Sequence, residues 1–225
     1  MISGHNDYHL PGNLTAMIPK RILRSVPADT TKEVESFWQT SIRLHPGWKH
    51  DTYREPIDPA QFPLTAPSWE RCASGAQKAG LLRLESLWTE GGIWFDSDFE
   101  PYRAFDPLLG SRAFAAWEDL RTVPDAVLGS EPRHPAMLCC LNLAMQRLDQ
   151  GAWESGPGVT TEVLVGRNDV LLLPPSSFYP YHFSERHRRF EDHQTVNPWA
   201  FGAHHWAASW LGETTEVRTD DHQSR

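Results

Sequence analysis

The segment LLRLESLWTEGGIWFDSDFEP, residues 81–101, contains the pattern that decides the predicted fold. Its leucines recur at helical spacing, and Gly91-Gly92 ends this helix because glycine adopts the left-handed C-cap conformation at little steric cost. Ile93-Trp94-Phe95 predicts a short buried strand, since it is an apolar run bounded by glycines and aspartates. The segment therefore predicts a helix, a strand and an acidic turn in immediate succession.

The rest of the chain continues this alternation. Buried strands are predicted at 17–26 and 169–175, further strands at 112–119 and 125–131, and helices at 31–44, 68–90 and 134–148. In the second helix we expect Ser68 to be the N-cap, and Arg83 and Glu85 to lie off the apolar stripe. Short strands that alternate with helices predict a layered α/β domain. We expect one domain over 17–211, with flexible ends at 1–16 and 212–225.

Composition limits the function classes. The formal net charge of −8 argues against a general nucleic-acid or anionic-membrane surface. Three cysteines without a CxxC pair favour a reducing, cytoplasmic setting, and ten tryptophans suit both a core and sites where flat ligands stack. No apolar run reaches the length of a membrane span, and the first residues lack a signal peptide's apolar segment. A globular cytoplasmic protein is the expectation.

Asp96 and Asp98 follow the predicted strand at 93–95. Residues i and i+2 of an extended chain project to one face, so both carboxylates are expected to point the same way. The carboxyl end of a strand is where α/β sheets place their ligands, and paired carboxylates are the oxygen ligands that Mn²⁺ or Mg²⁺ prefers. The same pattern also occurs in solvated turns that bind nothing. The pair by itself predicts a cation site, and the cation suggests a phosphate-bearing substrate.

The sequence around this pair resembles the DXD-containing glycosyltransferases of family 32, which include capsular-polysaccharide and mannosyl transferases and have the clostridial glucosylating toxins as distant relatives. The segment that carries the resemblance reads "LLR", then "GGIW", then Asp-Ser-Asp at 96–98. Four further stretches agree in the same order: "IPKRILRS" (18–25), "GSEPRHPAM" (129–137), "SGPGVTTEVL" (155–164) and "HHWAASW" (204–210). The resemblance implies a GT-A type fold, with a Rossmann-like nucleotide-sugar-binding mixed sheet flanked by helices.

The resemblance also implies a reaction. A sugar would move from a UDP- or GDP-sugar donor to a hydroxyl of a glycan, glycolipid or small-molecule acceptor, with retention and with Mn²⁺ or Mg²⁺ as cofactor. Polysaccharide biosynthesis is a typical setting, no nucleic acid is expected as a partner, and peripheral membrane contact is compatible with the chain.

Roles for individual residues follow from the same resemblance. Asp96 would reach sugar and ribose hydroxyls, Asp98 would bind the metal with Asp96 nearby, and Arg83 would face the donor sugar and phosphates. His204 would complete the metal shell, with His205 as the alternative. The donor-binding residues implied are Ile18, Pro19, Arg83, Asp96, Ser97, Ser209 and Trp210.

One departure from the family pattern bears on the donor. Relatives usually read "SDLLR", with a carboxylate three residues before the arginine, and this position is Gly80 here. Asp125 stands where relatives have Asn and is a candidate at the acceptor side.

Two alternative functions remain. The missing carboxylate at Gly80 is compatible with a degenerate transferase that acts as a nucleotide-sugar binding module, and the acidic pair after a buried strand is compatible with a DxD phosphatase. The phosphatase fits less well because Phe-Glu-Pro follows the acidic pair, and because the pair lies in mid-chain.

Overall fold

The computed structural model describes residues 18–206 and shows a mixed α/β fold. The strands are β1 (Arg21–Val26), β2 (Lys49–Arg54), β3 (Gly92–Phe95), β4 (Phe99–Pro101), β5 (Ala113–Ala116), β6 (Val127–Ser130), β7 (Leu171–Leu173) and β8 (Gly202–His204). The α-helices are α1 (Lys32–Leu44), α2 (Gly75–Thr89), α3 (Pro135–Gln146), α4 (Ala152–Ser155), α5 (Pro157–Leu164) and α6 (His193–Val196). The ends predicted to be flexible, 1–16 and 212–225, lie outside the described residues.

Six strands form one sheet in the order β2-β1-β3-β6-β5-β7. β1 pairs in parallel with β2 and β3, β6 runs antiparallel to β3 and β5, and β7 is parallel to β5. β4 and β8 form a separate antiparallel pair. The α/β prediction is confirmed, and β3 lies inside the sheet with all four of its residues buried. Within residues 18–206 no helix is both long and apolar enough to span a bilayer.

α1 begins where the sequence predicts. Thr31 is its N-cap, and the threonine side chain accepts a hydrogen bond from the Val34 amide. Phe37, Trp38 and Ser41 form its buried face. Ile42 is 38% exposed.

α2 differs from its prediction in two ways. It begins at Gly75 with Ser74 as N-cap, so the prediction of Ser68 was wrong; residues 66–71 form a separate 3-10 turn. Arg83 and Glu85, predicted to lie off the apolar stripe, are nevertheless both buried. The reason is that α2 packs against the sheet and against α3 together, and a helix covered on both sides has no free polar face. Glu85 is satisfied there by the backbone amide and hydroxyl of Thr65.

Gly91 follows α2 with φ +69°, in the left-handed region, which confirms the predicted glycine stop.

The position of β7 in the sheet controls its burial. β7 was predicted as a buried strand, but it lies at the sheet edge and its Leu171 is 44% exposed. An apolar run alone does not distinguish an edge strand from a central one, and that part of the prediction was wrong.

Candidate active site

The acidic pair lies in a tight turn at the end of β3. The Phe99 amide donates to the Asp96 carbonyl at 3.0 Å, and the Asp96 amide donates to the Ala126 carbonyl at 2.9 Å. Residues 96–98 are therefore not extended, and the expected reason for the two carboxylates to converge was wrong. The turn brings them together instead, at the carboxyl end of the strand as predicted.

β8 brings His204 to this turn. β4 continues from the acidic turn and pairs with β8, so that Phe99 lies opposite His204, and the His205 amide donates to the Asp98 carbonyl at 3.1 Å. The Nε2 atom of His204 lies 3.1 Å from Oδ1 of Asp98 and 4.0 Å from Oδ2 of Asp96. One candidate ligand atom from each of these residues falls within 4.8 Å of the others. Residues more than 100 positions apart in the sequence thus form one cluster.

Arg83 holds the other side of the cluster. Its side chain reaches from α2 and is nearly inaccessible, with 3% exposure. One terminal nitrogen donates to Asp96 and the other to Asp125, so the guanidinium bridges two carboxylates. The indole of Trp94 also donates to Asp96, at 3.3 Å. The Asp96 side chain is consequently held by side chains from two elements, α2 and β3.

The electrostatics of the cluster favour a cation. The cluster combines three carboxylates with one guanidinium: Asp96 and Asp125 pair with Arg83, and Asp98 lies against His204. This leaves an excess of two negative charges when His204 is neutral. Burial raises the pKa of Asp96, and Asp125 and Asp98 act in the same direction, while Arg83 and His204 oppose the rise. Burial acts to lower the pKa of His204, but the contact with Asp98 raises it above its ordinary value.

The donor set fits a divalent metal such as Mn²⁺. Asp96, Asp98 and His204 offer two carboxylates and one imidazole, a combination of hard oxygen and nitrogen ligands that suits Mn²⁺ better than Ca²⁺. The Nδ1 atom of His204 and the Nε atom of Arg83 are buried without a hydrogen-bond partner among residues 18–206. Buried polar atoms left unpaired are uncommon and often mark a site where a ligand belongs.

Aromatic side chains enclose His204. Trp206 crosses the imidazole edge-on with ring centroids 4.4 Å apart, and Tyr179 stacks on Trp206 at 5.5 Å. Trp206 has a φ of +51°, an uncommon conformation for tryptophan, and its indole donates to the Tyr181 carbonyl at 3.1 Å. No local sequence pattern indicates that Tyr179 or Trp206 lies beside His204. The run of aromatics around 178–183 was the available signal, but it does not indicate which ring meets a histidine.

Other residues implied by the resemblance lie elsewhere. Both ring nitrogens of His205 have partners: the Tyr181 hydroxyl lies at 2.9 Å and Glu100 at 3.0 Å. His205, the alternative metal ligand, therefore faces away from the acidic turn. Ile18 is buried in the core, and with Pro19 it precedes β1. Because β1 and β3 are parallel, this end lies opposite the carboxylate edge.

Ser97 lies within the acidic turn and is half-buried. Ser209 and Trp210 lie outside the described residues, so their roles stay predictions.

Comparisons with known proteins bear on the family resemblance and on the fold. Residues 30–115 match the family model described as the glycosyltransferase sugar-binding region containing DXD motif. The chain is 28% identical to the mannosyl phosphorylinositol ceramide synthase SUR1 of Saccharomyces cerevisiae over 133 residues, which is 56% of this chain and 34% of that protein. It is 26% identical to inositol phosphoceramide mannosyltransferase 3 of Schizosaccharomyces pombe over 59% of this chain and 38% of that protein. The matched part is thus little more than a third of these relatives' lengths.

A solved structure supports the fold. The PaToxG glycosyltransferase superposes with a TM-score of 0.52 and 17% sequence identity, over 66% of this chain and 68% of that chain. Likeness at this identity bears on the fold alone, and it confirms the predicted glycosyltransferase-type α/β fold. Together with the family model, it confirms the resemblance to the DXD-containing glycosyltransferases.

Proposed function

We propose that this chain is a metal-dependent glycosyltransferase that moves a sugar from a UDP- or GDP-sugar to an acceptor hydroxyl with retention of configuration. The observation that carries the proposal is the convergence of Asp96, Asp98 and His204 at the end of β3, beside the buried Arg83. This edge of the sheet is where α/β folds bind nucleotides, and the match of residues 30–115 to a DXD sugar-binding region concerns the same turn.

Asp98 and His204 would hold the metal, with Asp96 beside them. A divalent cation bound there would act as a Lewis acid toward the negative charge that develops on the leaving diphosphate. Arg83 adds positive potential from the opposite side and keeps Asp96 oriented toward the sugar. Tyr179 and Trp206 pack around His204 and keep water from one flank of the imidazole.

Retention is proposed to proceed by front-face transfer. The acceptor hydroxyl would then approach the sugar from the side on which the diphosphate departs, and no protein nucleophile is required. One curated relative is named as a mannosyl phosphorylinositol ceramide synthase and the other as an inositol phosphoceramide mannosyltransferase. A mannose-carrying nucleotide is therefore the first donor to test. A cytoplasmic location and a role in polysaccharide biosynthesis remain proposals.

Thermal unfolding with and without Mn²⁺ tests the proposal. GDP or UDP with Mn²⁺ is expected to raise the melting temperature; at a hundredfold excess over Kd the stabilisation is about 2.7 kcal/mol. Asp98→Ala should abolish the Mn²⁺-dependent part. Asp149→Ala, which removes an exposed carboxylate paired with Arg71, should leave it unchanged.

Two results would contradict or narrow the proposal. Equal Mn²⁺-dependent shifts in wild type and Asp98→Ala would remove Asp98 from the metal site. If a nucleotide sugar stabilises the protein but is neither hydrolysed nor transferred to any acceptor, the chain is a nucleotide-sugar binding module.

A further inference from the structure

Asp125 occupies a fixed position next to the acidic turn. It precedes β6, whose first residue, Val127, lies opposite Phe95 at the end of β3. Its loop is anchored from α5, because the Thr160 hydroxyl donates to the Val123 carbonyl at 2.6 Å and the Val123 amide donates to the Thr161 hydroxyl at 3.0 Å. A carboxylate on a loop tied down in this way has little freedom to move away from Asp96.

The carboxylate of Asp125 has hydrogen-bonding capacity left over. Arg83 binds its Oδ2 atom, and no other hydrogen bond to this carboxylate occurs within residues 18–206. The side chain is 18% exposed, so solvent or a ligand can reach it. Neutralising Arg83 does not require Asp125, because Asp96 already pairs with the same guanidinium. The second carboxylate only increases the excess of negative charge, which calls for a role beyond charge balance.

Two glycines leave room for this carboxylate. A Cβ atom added to Gly80 on α2 would lie 3.7 Å from Oδ2 of Asp125, and one added to Gly156 would lie 3.2 Å from the same atom. An acidic side chain on α2 at residue 80 would therefore reach the space that Asp125 fills. In this chain the carboxylate comes from Asp125 in the loop before β6, and α2 has a glycine without a side chain at position 80.

We infer that Asp125 is not the acceptor-side residue expected from the sequence but a donor-recognition residue, whose carboxylate accepts hydrogen bonds from hydroxyls of the transferred sugar. The inference rests on the proposed function, since it assumes that a sugar lies beside Asp96. Arg83 holds Asp96 and Asp125 on the two arms of one planar fork, so both carboxylates keep a defined spacing toward the ligand. Free oxygens on rigid carboxylates suit hydroxyl pairs of a hexose.

The test separates the sugar from the nucleotide. Melting temperatures with Mn²⁺ are measured for GDP against GDP-mannose and for UDP against UDP-glucose, and donor KM and kcat are measured by hydrolysis. In Asp125→Asn we expect the shift with the nucleoside diphosphate to be kept and the additional shift from the sugar to be lost. A hydrogen bond to a charged group predicts a rise in donor KM of roughly ten- to a hundredfold, with a smaller change in kcat. Asp149→Asn is the matched surface control.

A second variant relocates the carboxylate. Gly80→Asp combined with Asp125→Asn returns an acidic group from α2, and we expect it to recover part of the sugar-dependent shift. Three outcomes overturn the inference: a donor KM in Asp125→Asn within twofold of wild type, an equal loss of the nucleoside diphosphate shift, or a double variant no better than Asp125→Asn. A wild type that gives no shift with any nucleotide refutes the proposed function itself, and this inference with it.

Discussion

Replacing Arg83 with methionine removes the guanidinium that bridges Asp96 and Asp125. The side chain is 3% exposed, and the two carboxylates it binds are 32% and 18% exposed. Breaking a buried ion pair by removing one partner typically costs about 3–5 kcal/mol, because the other charge stays buried. Since both carboxylates retain some contact with solvent, we expect a loss at the lower end, about 3 kcal/mol in the free energy of unfolding.

Urea unfolding at pH 7 without metal measures this loss. Arg71→Met is the matched control, because Arg71 pairs with Asp149 on the surface, where the side chains are 44% and 72% exposed. An exposed pair contributes at most about 1 kcal/mol. Adding Asp125→Asn to Arg83→Met should recover part of the loss by removing one uncompensated carboxylate. Equal losses for Arg83→Met and Arg71→Met, or no recovery in the double variant, would refute the view that Arg83 neutralises this cluster.

Two further predictions concern the scaffold. The pKa of Glu35 is lowered from 4.5 to about 2, first by the Thr30 hydroxyl and then by arginine partners, so its stabilisation is present above pH 4.5 and is lost as the pH falls toward 2. Glu35→Gln should therefore lower the free energy of unfolding by about 1 kcal/mol at pH 7, after discounting for solvent screening, and by almost nothing near pH 2; a pH-independent loss would contradict this. Gly91→Ala should cost roughly 3 kcal/mol in urea melts, because the new Cβ would lie 2.8 Å from the Ser130 carbonyl at a φ of +69°. Gly47→Ala, at φ +79° with nothing within 4 Å, should cost only about 1 kcal/mol, and equal costs would exclude the steric explanation.

Local patterns predicted the elements that hold the site better than the geometry of the site. The glycine stop after α2 and the strand 93–95 were predictable, because each depends on neighbours in the sequence. The N-cap of α2 was not, since Ser68 and Ser74 both suit a helix start, and only the 3-10 turn at 66–71 decides between them. The burial of Arg83 could not be predicted from the sequence either, because it depends on the packing of α2 against both the sheet and α3.

Within the described chain, the sequence alone predicted β1, β3, β5, β6 and β7 and helices α1 to α3 in their order, but not β2, β4, β8 or α4 to α6. It also predicted the position of Asp96 and Asp98 after β3 and the resemblance to DXD glycosyltransferases. These depend on side-chain periodicity, glycine conformation and motif spacing, all of which are local. Tertiary structure decided that His204 rather than His205 faces the acidic turn, because β8 pairs with β4 in a register that sets His204 opposite Phe99. It also placed Asp125 on Arg83, over the space left by Gly80. Contacts between residues 40 or 100 positions apart depend on strand register and packing, which no local pattern specifies.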